Sequence, residues 1–292
     1  MPTFETRKLS VNFTDTGSGT SSGETVVLLH AGATSSAHWR KVEPLMSRRY
    51  RLLAPDLIGF GDSRFLDNRP MTNHGTNRDA SHDDQADLVR MMLAHTGQDR
   101  VHVVGHSFGG ATAVRLALRH PGFFKSLTLI EPVLTPLLHQ AGENWLYQEA
   151  RARALEFVGD ADAGRLVAAW RAFIDGHNGE GTWDGLTDRA KERFMTKTMQ
   201  TAAAYKANLG NPTTLRDLGG MDIPTRVICG ENSPEAYRRI CSIVWSHIRG
   251  CDYETISGAG HMSPLTHAEA VAEAIDEHTD VARWCRPMAI AA

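Results

Sequence analysis

Residues 105–109 read Gly-His-Ser-Phe-Gly, so a serine stands two residues from a glycine on either side. The pattern follows the apolar run 101–104 and precedes a segment with helical spacing, which is the strand-to-helix context that this motif requires. In so tight a turn Ser107 takes strained backbone torsions, and a Cβ at either glycine would clash with the neighbouring chain. We therefore predict that Ser107 is a nucleophile raised above a sheet, beside free backbone amides at a helix N-terminus.

A serine hydroxyl is a weak nucleophile at neutral pH and needs a general base. The sequence holds 14 histidines, and His261 differs from the others by its place. It ends the stretch Gly-Ala-Gly-His, directly after the last apolar run of the chain. A loop at the carboxyl edge of that strand could bring the imidazole to Ser107, so His261 is the predicted base.

A further group of polar residues, His74, Asp79 and His82, could suggest a metal site. Residues 81–84, however, read Ser-His-Asp-Asp, in which the serine and the last aspartate form the pattern of a helix N-cap. We favour the helix cap over a metal site, and we expect neither a metal nor an organic cofactor in this protein.

The elements that must position these residues are visible as short apolar runs separated by longer mixed segments. Six runs are too short for helices and apolar on both faces, as strands covered on both sides must be: 26–29, 50–54, 101–104, 127–130, 225–229 and 253–256. Segments with helical spacing lie over 84–95, 109–119 and 267–278. This alternation predicts an α/β fold, a mostly parallel sheet with helices on both faces, with residues 1–16 as an antiparallel lead-in.

One long stretch, 134–215, has no clear strand run and is rich in large side chains. We predict that it forms a helical cap, inserted into a core made of residues 1–133 and 216–292. An insertion after a strand end lies over the carboxyl edge of the sheet, where ligands bind. Most of its aromatic residues should fill a small core of their own, whereas we expect three tryptophans to line a substrate pocket: Trp145, Trp170 and Trp183.

Composition excludes some classes of function. The 292 residues are 41% hydrophobic and carry a net charge of −3, so neither nucleic acid nor an anionic membrane surface is an expected partner. The four cysteines, Cys229, Cys241, Cys251 and Cys285, form no CxxC pair and are expected to be reduced and mostly buried. Without a signal-peptide pattern or a long apolar stretch, we expect a soluble, cytoplasmic protein, with a homodimer left open.

The loop after the first core strand reads His-Ala-Gly-Ala over residues 30–33, and residues 56–63 read Asp-Leu-Ile-Gly-Phe-Gly-Asp-Ser. Together with the turn at Ser107, the helical insertion and the terminal glycine–His261 pair, these motifs make the chain resemble the α/β-hydrolase family over nearly its whole length. The one departure in the first loop is Ala31, which stands where the family usually has a glycine.

The resemblance implies an oxyanion hole in which backbone N–H groups hold the negative charge of a tetrahedral intermediate. One donor would be Phe108, the residue after the nucleophile. By position, Gly32 should supply the second N–H, with Ala33 as the alternative.

The acid that would orient His261 is harder to assign. In most family members it follows the strand that ends here at Gly230, typically three residues further on, but that position is Ser233. Two candidates remain: Glu231, two residues early, and Glu131, at the end of the preceding strand. Certain haloalkane dehalogenases and the zearalenone lactonases keep their acid at the latter place. We favour Glu131, because its extra methylene helps to span the longer approach, and keep Glu231 as the alternative.

These features predict a serine hydrolase that cleaves a small or medium, rather apolar carboxylic ester or lactone through an acyl-enzyme. A serine nucleophile disfavours dehalogenase and epoxide-hydrolase chemistry, which needs a carboxylate. Hydrolysis of a C–C bond in a diketone, thioester hydrolysis and perhydrolysis use the same machinery and stay open. The alternative from another class is a ligand receptor that keeps the pocket without turnover.

Overall fold

The computed structural model describes residues 1–17, 21–66 and 79–284. Within these residues one sheet contains nine strands: β1 Thr3–Glu5, β2 Leu9–Asp15, β3 Glu24–Leu29, β4 Tyr50–Pro55, β5 Arg64–Phe65, β6 Val101–His106, β7 Phe124–Ile130, β8 Thr225–Gly230 and β9 Asp252–Ile256. The strand order is β1-β2-β4-β3-β6-β7-β8-β9, with β5 paired to β2. Strands from β4 to β9 along this order pair in parallel, and β2 pairs antiparallel with its neighbours. The expected mostly parallel sheet with an antiparallel lead-in is confirmed.

All six predicted strand runs lie within strands, although several strands are longer than the runs. β6 continues to His106, and β7 begins at Phe124, three residues before the predicted run. The extra length of β7 includes the polar Ser126, whose Oγ lies 2.8 Å from Nδ1 of His102 on the adjacent strand. Paired polar groups can be buried in a sheet at little cost, but they interrupt the apolar pattern by which a strand is recognised.

Helices cover both faces of the sheet. Their bounds are α1 Glu43–Met46, α2 His82–His95, α3 Phe108–Arg119, α4 Pro136–Gln140, α5 Asn144–Asp162, α6 Leu166–Asn178, α7 Asp188–Met195, α8 Thr198–Leu209, α9 Leu215–Gly219, α10 Glu235–His247, α11 Ser263–Thr266 and α12 Ala268–Trp284. Alternate residues of β3 face opposite sides: Val27 and Leu29 pack in the cluster with α2, α3 and α10, whereas Val26 and Leu28 pack with α1 and α12.

The segment 134–215, all of it described, contains helices and turns and no strand. It lies between β7 and β8 and includes α4 to α8, with α9 beginning at its end. The helices share a separate hydrophobic cluster, which includes Phe157, Trp170, Trp183 and Ala202. Since these large side chains are buried against one another, the segment has a core of its own above the sheet.

Two further observations concern membrane-spanning helices and cysteines. No helix within the described residues is both long and apolar enough to span a membrane. Cys229 and Cys241 are buried and Cys251 is half-buried, all three as free thiols, while Cys285 lies outside the described residues.

Candidate active site

The turn between β6 and α3 consists of Ser107 alone. Its backbone has φ 56° and ψ −116°, which a non-glycine residue adopts only when the surrounding structure enforces it. Close packing explains the flanking glycines. A Cβ on Gly105 would lie 2.5 Å from the carbonyl oxygen of Gly109, and a Cβ on Gly109 would overlap the carbonyl of Leu29. The strand and the helix therefore hold Ser107 at the tip of a rigid turn.

The imidazole of His261 reaches Ser107 from the loop between β9 and α11. Its Nε2 lies 3.0 Å from Ser107 Oγ. Two contacts fix this loop: His106 Nε2 donates to the carbonyl of His261 at 2.8 Å, and the Tyr237 ring stacks on the imidazole with 4.2 Å between centroids. Backbone and ring are both held, so the imidazole is presented to the serine hydroxyl at hydrogen-bond distance.

Glu131 is fully buried directly after β7 and contacts the other side of the imidazole. Its Oε2 lies 2.7 Å from His261 Nδ1, and its Oε1 accepts from the amide of Gly230 at 2.6 Å and the hydroxyl of Ser233 at 2.5 Å. Burial alone would raise the pKa of Glu131, but the hydrogen bonds donated to its carboxylate outweigh burial and hold this pKa below its usual value. An ionised carboxylate here can orient the imidazole with its Nε2 lone pair toward the serine.

The alternative acid, Glu231, lies on the surface. Its Oε2 accepts from the hydroxyl of Ser257 at 2.9 Å and from the amide of Gly258 at 2.8 Å. The structure thus brings Glu131, and not Glu231, into contact with His261. Sequence reasoning missed the contribution of Ser233, although a serine at the usual position of the acid was a signal that another carboxylate takes that space.

Two chain segments with open amides lie beside Ser107. Within the described residues, no group accepts a hydrogen bond from the backbone N–H of Phe108, Gly32 or Ala33. A Cβ built on Gly32 would lie 3.7 Å from the Cβ of Phe108, so the two segments are in contact. Amides so placed could both donate to one oxyanion. Gly32 and Ala33 stay alternative predictions for the second donor.

A cavity of about 290 Å³ lies between core and insertion, directly over Ser107. Its wall includes apolar side chains from the insertion, Phe173, Ile174, Leu186 and Phe194. Among the described residues that line it there is no lysine, arginine, aspartate or glutamate. An apolar wall with a few neutral polar groups is typical of a site for an uncharged small molecule.

The three tryptophans expected in the pocket lie elsewhere. Trp170 and Trp183 are buried in the core of the insertion, where Trp170 packs edge-on against Phe157 with 5.4 Å between ring centroids. Trp145 is 71% exposed and borders a second cavity of about 290 Å³. The expectation is corrected for a physical reason: the insertion needs large side chains to hold its own helices together, and the indoles of Trp170 and Trp183 fill that space.

A hydrogen-bonded pair that the sequence did not reveal borders both cavities. His177 on α6 donates from Nδ1 to the carbonyl of Phe173, so its Nε2 accepts from the Tyr237 hydroxyl on α10 at 2.7 Å. Both side chains line both cavities, and the ring centroid of His177 lies 5.6 Å from that of His261. This pair links the insertion to the core beside the reacting groups.

Among the polar residues that could suggest a metal site, His82 lies in a helix cap and a buried hydrogen-bond network. Ser81 caps α2: its hydroxyl accepts from the amide of Asp84 at 3.2 Å, and the Asp84 carboxylate accepts from the amide of Ser81 at 3.0 Å. The His82 imidazole is buried between Thr112 and Asn208. The expected cap is confirmed, and His74 lies outside the described residues.

A serine at a strand-to-helix turn, an imidazole in hydrogen-bond contact with it and a buried carboxylate behind the imidazole are the arrangement of a serine hydrolase. The chain belongs to the alpha/beta hydrolase fold family, whose model matches residues 24–268.

Among curated relatives, it is 32% identical to the 2-hydroxy-6-oxo-6-(2'-aminophenyl)hexa-2,4-dienoic acid hydrolase of Metapseudomonas resinovorans, over 86% of this chain and 82% of that protein. Two other relatives match over only part of their own length: the soluble epoxide hydrolase of Corynebacterium sp. over 39%, and the 2-hydroxy-6-oxo-2,4-heptadienoate hydrolase of Pseudomonas putida over 42%.

Solved structures show the same fold at low identity. A thermophilic esterase from Thermogutta terrifontis superimposes with a TM-score of 0.69 at 21% identity, covering 94% of each chain. The enol-lactonase from Burkholderia xenovorans LB400 superimposes with a TM-score of 0.68 at 17% identity, covering 92% of this chain and 96% of that one.

Proposed function

We propose that the protein is a serine hydrolase that cleaves a neutral carboxylic ester or lactone through an acyl-enzyme. Ser107 Oγ attacks the carbonyl carbon while His261 Nε2 takes the hydroxyl proton. The amides of Phe108 and of Gly32 or Ala33 hold the oxyanion of the tetrahedral intermediate. His261 then returns the proton to the leaving alcohol. It afterwards takes a proton from the water that attacks the acyl group, and gives that proton to Ser107 Oγ as the bond between the serine and the acyl group breaks. Glu131 holds the imidazole and stabilises its positive charge throughout.

One observation carries this proposal: the unbroken series of hydrogen bonds from Ser233 through Glu131 and His261 to Ser107. A structural role alone would not require a serine at φ 56° with its hydroxyl against an imidazole and open amides alongside. In related chemistry, one oxyanion donor contributes about 3 kcal/mol to stabilising the transition state. A ligand receptor would gain little from having a nucleophile, a base and these donors together.

The cavity supports the substrate class. Its volume of about 290 Å³ fits a small or medium molecule. With no charged side chain among its described lining residues, an anionic or cationic substrate would lose hydration without gaining a counter-charge. An uncharged ester or lactone has no such cost.

A second candidate is hydrolysis of a C–C bond beside a ketone, the activity suggested by the name of the relative from Metapseudomonas resinovorans. The relative's substrate is a dienoic acid, by its name. The carboxylate of such an acid would find no cation in the described wall of the cavity, so the ester or lactone is preferred.

Steady-state and pre-steady-state hydrolysis of p-nitrophenyl acetate tests the proposal. We expect a burst of about one equivalent of p-nitrophenol as the acyl-enzyme forms, and loss of the burst in Ser107→Ala. A 2-hydroxy-6-oxo-dienoic acid should be cleaved far more slowly. Faster turnover of that acid would favour the C–C hydrolase, and a folded protein that turns over neither compound would favour the receptor.

A further inference from the structure

One face of helix α8 forms part of the cavity wall. Thr201, Ala204, Tyr205 and Asn208 all line the cavity, and their spacing of three, four and seven residues places them on a single helical face. This face lies against the oxyanion loop, because a Cβ on Gly32 would be 4.0 Å from the Cβ of Ala204. The side chains on this face of α8 are therefore positioned to contact a molecule bound at Ser107.

The hydroxyl of Thr201 has no partner within the described residues. The side chain is 3% exposed, and its Oγ1 is buried without a hydrogen bond. Two threonines just before it behave differently, since the hydroxyls of Thr196 and Thr198 donate to the carbonyls of Arg193 and Met195. A buried hydroxyl without a partner destabilises a fold, so its presence on a cavity wall indicates that a ligand completes it.

The amide of Asn208 is oriented by a buried histidine. Its Oδ1 lies 2.9 Å from His82 Nε2, and the other nitrogen of that ring lies 3.0 Å from the hydroxyl of Thr112. Burial lowers the pKa of His82 to about 4, so the ring is neutral at physiological pH. An amide oxygen only accepts, which places the single ring proton on Nε2. The oxygen of Asn208 thereby accepts from His82, and within the described part of the chain its NH2 group donates to no other group.

We propose that Thr201 and Asn208 form a recognition site for neutral oxygen atoms, carbonyl or hydroxyl, carried by the substrate in addition to its scissile ester. This inference rests on the proposed function and narrows it to oxygen-substituted neutral esters or lactones. The two side chains are two helical turns apart, about 10 Å along α8, so they contact different parts of one molecule on either side of Ala204. Neutral oxygen is favoured over charged groups because the described wall offers no counter-charge.

Isosteric ester pairs test the proposal through the ratio of kcat/KM values. We would compare p-nitrophenyl levulinate with the valerate, and p-nitrophenyl hydroxybenzoate with the benzoate. In at least one pair the wild-type protein should prefer the oxygen-bearing ester by about tenfold, the value of one good hydrogen bond. Thr201→Val or Asn208→Leu should abolish that preference, whereas Thr201→Ser, which keeps the hydroxyl, should retain it. The matched control Thr196→Val lies outside the cavity wall and should leave the ratios unchanged.

Thermal unfolding supplies a second readout. Because Thr201→Val removes an unpaired buried hydroxyl, it should raise the melting temperature by about 2 °C. A lowered melting temperature, or equal ratios in wild type and both cavity variants, would overturn the recognition site even if all esters are hydrolysed. If none of the four esters is hydrolysed, the proposed function itself fails, and the two failures are thereby distinguished.

Discussion

At the scale of single residues, the carboxylate behind His261 comes from an unusual strand. Glu131 follows β7, while the position from which most relatives are expected to supply an acid holds Ser233, whose hydroxyl donates to Glu131 at 2.5 Å. The two side chains thus meet at one place from neighbouring strands.

The first prediction at this scale compares two glutamates. Glu131→Gln removes the negative charge beside His261 and should lower kcat for p-nitrophenyl acetate by about a thousandfold or more, as when the acid of a triad is made neutral. Glu231→Gln changes a surface residue that contacts Ser257 and Gly258, and should leave kcat within about twofold. Steady-state kinetics of both purified variants provide the comparison, and the opposite ranking would refute the assignment.

The second prediction transfers the carboxylate from position 131 to position 233. Because Ser233 Oγ touches Glu131 Oε1, an aspartate at 233 should reach the same imidazole nitrogen once the glutamate is removed. The double variant Glu131→Ala/Ser233→Asp should recover at least about tenfold in kcat over Glu131→Ala alone. The single variant Ser233→Asp is the control: it crowds two carboxylates together and should be less active than wild type. No recovery in the double variant would mean that the two positions are not equivalent.

The sequence predicted that His261 contacts Ser107, but it did not predict the full set of contacts around these two residues. The serine is recognisable because its steric surroundings demand glycines at fixed local spacing. The choice between Glu131 and Glu231 depends on the direction of side chains on two different strands, which no local pattern encodes. The stacking of Tyr237 on His261 likewise joins residues that are distant along the chain.

At the scale of elements, the strand–turn–helix unit around Ser107 depends on the contact between β6, β3 and α3. Strand runs were predictable because their buried faces are continuously apolar. The start of β7 was not, since the polar Ser126 is buried there against His102 of the adjacent strand. The aromatic residues of the insertion predict a helical core. Whether an indole faces that core or a cavity depends on the rotation of its helix about the helix axis, and Trp170 faces the core.

A third prediction tests this unit. Gly105→Ala or Gly109→Ala puts a methyl group against backbone atoms that cannot move without opening the turn, so each should destabilise the fold by about 3 kcal/mol or more. Gly122→Ala is the matched control, because nothing lies within 4 Å of the added Cβ. Chemical denaturation of the three variants measures the difference. Equal stability of all three would show that the close approach at the elbow is not needed.

At the scale of the whole molecule, a set of buried histidines ties stability to pH. Burial is the largest cause of a lowered pKa in each, to about 3 in His106 and to about 4 in the others: His30, His82, His177 and His278. In the unfolded chain a histidine titrates near about 6.5. Between these values the unfolded state binds more protons than the folded state, so stability falls as pH falls.

The fourth prediction follows from that sign. Lowering the pH from about 7 to about 5 should reduce the free energy of unfolding by on the order of 5 kcal/mol or more, since each excess proton contributes about 1.4 kcal/mol per pH unit. Urea unfolding at a series of pH values measures the slope. His278 lies outside the cavity and contacts Thr128. His278→Gln should therefore reduce the slope of the free energy of unfolding against pH by the contribution of about one proton. A free energy independent of pH over this range would contradict neutral burial of these rings.

The measurement that tests the central claim most directly is covalent labelling with a fluorophosphonate, followed by mass spectrometry of the peptides. A serine activated by an imidazole and flanked by oxyanion donors reacts with such a probe, while an ordinary serine does not. We predict one adduct per chain, on Ser107, absent in Ser107→Ala and formed much more slowly in Glu131→Gln. A folded protein that stays unlabelled, or that is labelled on a different residue, would contradict the assignment of Ser107 as the nucleophile.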